Sequence, residues 1–82
     1  MKSFVLGDVE ITNINPDRKS FSVIVHVKAA PIQMHTQQVQ EHVNHRVMYA
    51  VRYLVEEGFL PNDAMFGNWK CSIAGVCHPL SQ

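Results

Sequence analysis

Cysteine is scarce: Cys71 and Cys77 are the two thiols of an 82-residue chain, too few for the disulfide framework of a small secreted domain. If residues 69 to 77 run as one strand, the two backbones stand about 20 Å apart, beyond the ~7 Å limit for a bridge. Only a turn at Ala74-Gly75 brings them together, so free thiols are expected. Charge of one sign is also missing. Seven Lys/Arg balance seven Asp/Glu, so no global field draws the chain toward phosphate backbones or anionic lipid. The same neutrality leaves little repulsion between copies. There is no apolar run of about 18 residues, and no basic N-terminal region leading into a long hydrophobic stretch and a small-residue cleavage site. A cytoplasmic protein is therefore expected, with no membrane partner.

Catalytic signatures are equally absent. The sequence has no G-x-S-x-G elbow, no H-E-x-x-H, no phosphate-cradling glycine run and no C-x-x-C. Asp8 and Glu10 alternate along a strand, as carboxylates do on a solvated sheet face, and no nucleophile or oxyanion donor accompanies them. Cys77 and His78 are adjacent, which on a strand points them to opposite faces and denies the thiol its base. His42 and His45 lie three apart on a helix, but His26, His35, His78 and the cysteines show no paired-ligand spacing to complete a zinc site. No enzyme, cofactor or metal is expected.

What is present is alternation followed by one long amphipathic segment. Residues 4 to 12 read as a strand with Val5, Val9 and Ile11 on one face and Phe4, Leu6, Asp8, Glu10 and Thr12 on the other. Asn15-Pro16-Asp17 reverses the chain, and Phe21, Val23, Val25 and Val27 then alternate against Ser22, Ile24, His26 and Lys28. Ala29-Ala30-Pro31 ends that strand, because proline cannot donate to a ladder. Thr36 is the expected N-cap of a helix closed by Gly58. Its stripe is Val39, Val43, Val47, Ala50, Val51 and Leu54, widened by Met48 and Val55. Asn62 to Gly67 can make a short helical turn, Trp69 to Val76 a third strand, and the tail 78–82 is expected to fray.

The reading is one α+β domain over residues 1–82, an antiparallel three-stranded sheet of order ββαβ packed on one long helix. A chain this short buries only about 60% of its unfolded surface. One helix covers one sheet face, which leaves Phe4, Leu6 and Ile24 projecting from the other; buried by a partner, each is worth roughly 1.5–3 kcal/mol. His42, Arg46, Tyr49 and Tyr53 form a basic and aromatic edge on the helix, of a composition suited to partner contact. The expected function is a small protein-binding module of inhibitor or adaptor type that associates through the apolar sheet face as a homodimer. The alternative is an RNA- or DNA-binding module that uses the helix edge with Lys28 and Lys70.

Overall fold

A computed structural model describes residues 3–78. In it the chain is α+β: a four-stranded mixed sheet in the order β1-β2-β3-β4, with one long helix on one face. The strands are β1 (Phe4–Leu6), β2 (Val9–Asn15), β3 (Ser20–Lys28) and β4 (Lys70–His78); the helix, α1, spans Gln37–Glu56. Short 3-10 turns at Pro31–His35 and Asn62–Phe66 join α1 to the sheet. No helix of the described residues is long and apolar enough to cross a membrane.

Two features depart from the sequence expectation of three antiparallel strands in the order ββαβ. The segment 4–12 is a hairpin and not one strand. Gly7 takes φ of +64° at the first of two loop positions, which suits a tight II′-type turn. Phe4 then pairs with Ile11 and Leu6 with Val9. Directly paired residues share a face, so Phe4 and Leu6 lie on the helix side of the sheet with Val9 and Ile11, and Val5 points to the reverse face. The second departure is β4, which pairs parallel to β3 from Ser20↔Lys70 through Lys28↔His78 without a register shift. A helical crossover between β3 and β4 returns the chain in the same direction, as a β-α-β connection does. The strand also runs past Val76, its expected end. It continues to His78, the first residue of the segment expected to fray; the rest of that segment, residues 79–82, lies outside the described residues.

The core forms where the two apolar stripes meet. Val9, Ile11, Val23, Val25 and Leu54 are the largest side chains almost wholly withdrawn from solvent. Val43, Val47, Ala50, Val51 and Val55 complete the helix face, and Val39 packs at its margin. Met48 does not belong to that stripe: it is 70% exposed. Phe21 and the buried Trp69 meet with ring centroids 6.1 Å apart. The indole N–H of Trp69 donates to Asp63 Oδ1 at 3.1 Å, which ties the second 3-10 turn to the start of β4.

Both helix ends follow local chemistry. Thr36 Oγ1 accepts from the Val39 amide at 3.3 Å. At the other end Phe59 N–H donates to Leu54 O (2.8 Å) and Gly58 N–H to Val55 O (3.1 Å), the paired bonds of a Schellman cap. Gly58 sits at φ +83°, where a Cβ is strained even though nothing crowds it. Gly58→Ala is therefore expected to cost about 1 kcal/mol and to lower the thermal midpoint by roughly 4–8 °C, measured by circular dichroism at fixed protein concentration.

Candidate interaction surfaces

The two outer edges of the sheet are treated differently. Exposed strand edges offer unpaired N–H and C=O groups, and stable monomers blunt them with short strands, bulges or inward charges. β1 is three residues long. The bulge in the sheet lies between Thr12 and Asn15 of β2. β4 has no such protection: it is nine residues long, unbulged against β3, and carries charge only at its ends, on Lys70 and, when protonated, His78. Among the described residues none pairs with its outer side.

The direction of the free backbone groups follows from one bond. Lys70 N–H donates to Lys19 O at 2.7 Å, so the even-numbered residues of β4 turn their N–H and C=O toward β3. Alternation then turns those of Cys71, Ile73, Gly75 and Cys77 outward. The side chains of these same four residues lie on the helix side, since they pair with Phe21, Val23, Val25 and Val27. α1 packs over β2 and β3, and the segment near β4 is the Pro31–His35 turn. Its Met34 Cε lies 3.0 Å from where a Cβ on Gly75 would sit. Ile73 is left 46% exposed, Val76 38% and Ile32 in the turn 83%. Both cysteines are free, and partial burial pushes the Cys71 thiol up from its ordinary range.

The expected contact residues separate into three places. Leu6, Arg46, Tyr49 and Tyr53 come together with Gly7 and Ala50 around one groove of about 290 Å³. Phe4 packs against Phe59 in a tilted contact, with ring centroids 4.9 Å apart and planes at 49°. Phe4 and Leu6 are thus partly buried against the core by their own chain, which corrects their assignment to an uncovered face. Ile24 alone of the three stays on the reverse face, half-buried between its paired neighbours Glu10 and Ala74. His42 lies apart from the aromatic pair, lining a different groove with Asp8, His26 and His78. His45 faces a third, with Met48, Tyr49 and Met65.

Electrostatics explain part of this arrangement. Arg46 donates from Nε (2.9 Å) and Nη2 (2.6 Å) to Asp8 Oδ1, so its charge is already engaged with the β1–β2 turn. Asp8 and Glu10, which strand alternation places together, are separated: Glu10 instead faces His26 across the strands. His26 Nε2 is 3.1 Å from Glu10 Oε2, and its Nδ1 is 2.8 Å from His78 Nε2. In the neutral state, His26 donating to Glu10 leaves Nδ1 as acceptor, so His78 must donate from Nε2. This polar chain across β2, β3 and β4 makes the reverse face mixed and not apolar. The sequence showed each of these residues but not their meeting, because the contact depends on β4 lying parallel beside β3. Comparison with known protein families, curated proteins and solved structures finds no match.

Proposed function

We propose that this chain is a small protein-binding module that works by strand addition at the outer edge of β4, its first partner being a second copy of itself. The observation that carries this reading is the nine-residue, unbulged edge strand, with exposed Ile73 on its helix face, Val76 on its reverse face and Ile32 exposed in the neighbouring turn. Adding a strand satisfies a row of backbone groups that otherwise hydrogen-bond only to water, each bond worth about 0.5–1.5 kcal/mol net, and covers apolar side chains that α1 does not reach. A near-zero net charge favours association of identical molecules. Free thiols suit a reducing compartment such as the cytoplasm.

A dimer of this kind is an adaptor by construction. It presents two copies of the Leu6, Arg46, Tyr49 and Tyr53 groove, and Tyr49 is 68% exposed, ready to contact a further protein. A nucleic-acid role for the same helix edge has less support. Arg46 is engaged by Asp8, and Lys28 and Lys70 lie at opposite ends of the paired β3–β4 ladder, so the cations form no continuous track for a phosphate backbone. Sedimentation velocity at micromolar concentration tests the reading. A species of about twice 9.3 kDa is expected, insensitive to salt; a monomer at every concentration overturns it.

A further inference from the structure

Cys71 and Cys77 stand symmetrically about Ala74 in β4, with Ile73 opposite Gly75, and we infer that the edge closes on a second copy in one register: antiparallel, with the two-fold axis at Ala74. This rests on the reading of β4 as the association edge and specifies how it pairs. Antiparallel addition is the arrangement that a two-fold axis normal to the sheet imposes. Hydrogen-bonded pairs must then form between residues whose backbone groups point outward, namely Cys71, Ile73, Gly75 and Cys77.

With the axis at Ala74, Cys71 faces Cys77 of the second copy, and Ile73 faces Gly75. All four outward residues of each strand find partners, giving about eight inter-chain backbone bonds. Shifting the axis to Ile73 sets Cys77 against Trp69, which is buried in its own core. Shifting it to Gly75 sets Cys71 against Pro79, which has no N–H to give. Side-chain size agrees with the Ala74 axis. The non-hydrogen-bonded pair at the axis brings Cα atoms to about 4.5 Å, and Ala74 meets Ala74 there. Ile73, the largest outward residue, meets a glycine, and Met34, which lies over that glycine, gains the isoleucine as an apolar neighbour.

The sheet thereby becomes eight-stranded and continuous, with both helices on one face and two Cys71–Cys77 pairs placed symmetrically about the axis. Cα atoms of such a pair are about 5.5 Å apart, whereas the same two residues within one strand are about 20 Å apart. A short bis-maleimide of about 8 Å reach links the first arrangement and not the second.

The test uses the full chain, its Cys71→Ser and Cys77→Ser variants, and an equimolar mixture of the two variants, each treated with this reagent while its mass is followed by sedimentation. Wild type is expected to give a covalent dimer. Each variant alone is expected to stay non-covalent while sedimenting as a dimer, and the mixture is expected to recover the covalent product to about half the wild-type yield. Covalent dimer from either variant alone means Cys77–Cys77 or Cys71–Cys71 proximity and overturns the register while leaving strand addition intact. No covalent product from wild type that sediments as a dimer does the same. A monomeric wild type overturns both the register and the association reading.

Discussion

Truncating Leu54 to alanine is expected to remove about 2–5 kcal/mol of stability. Leu54 is 1% exposed and lies among the largest buried side chains of the core, where the α1 stripe meets the sheet. Its carbonyl also accepts from the amides of Phe59 and Leu60, so the residue joins the centre of the core to the helix cap. The backbone bonds survive the substitution, and the loss comes from transfer free energy and from the cavity left behind. A domain of this size has only about 4–12 kcal/mol in total, so the loss is a large fraction of the whole. Urea unfolding followed by tryptophan fluorescence reads it directly, because Trp69 is buried against Phe21. The midpoint is expected to fall with the slope unchanged. Met48→Ala, at a position the helical stripe includes but the structure exposes, is expected to change it by less than about 0.5 kcal/mol.

Replacing Ile73 by lysine is expected to weaken self-association roughly 100-fold, equivalent to about 3 kcal/mol. Lysine is the residue with which exposed sheet edges are most often guarded. In the paired strands the two new lysines are diagonal neighbours whose backbones lie about 7–8 Å apart, so like charges are brought together and the apolar contact with Met34 is lost. Ile73 is nearly half exposed in the single chain, so the variant keeps its fold. Wild type is expected to show a thermal midpoint that rises with protein concentration, as mass action requires of a dimer, and the lysine variant a midpoint that does not. Two further substitutions locate the surface. Ile24→Asp changes the reverse face and is expected to leave the dimer in place, whereas Leu6→Asp sets a carboxylate at a partly buried position against the core and is expected to lower the stability of the chain.

The sequence pattern resolved those parts of the fold that depend on neighbours along the chain. Thr36 as cap, Gly58 as stop, the β2–β3 hairpin and the valines of α1 are local signals, and the structure has them. Gly7-Asp8 is also a local signal, a two-residue loop suited to a tight turn, but Phe4-Val5-Leu6 is apolar throughout and fits an alternating strand in either phase. Taking residues 4 to 12 as one strand puts Phe4 and Leu6 on the wrong face. The direction of β4 was not legible in the same way, because period-two alternation is identical for parallel and antiparallel strands. Only the crossover through α1 decides it. The apolar surplus expected at Phe4 and Leu6 is absent, because both pack against the core; the exposed large apolar side chains include Ile73 and Val76 in β4, Ile32 in the first 3-10 turn, Met48 and Tyr49 on α1 and Met65 in the second 3-10 turn.

Amide hydrogen exchange along β4, followed residue by residue by nuclear magnetic resonance, tests the claim that this edge pairs with a second copy. The amides of Ser72, Ala74 and Val76 face β3 and are expected to be protected at any concentration. Those of Cys71, Ile73, Gly75 and Cys77 face outward, and strand addition predicts that they are protected at millimolar protein and lose protection on dilution. Rapid exchange of these four at every concentration, with their even-numbered neighbours still protected, would contradict it.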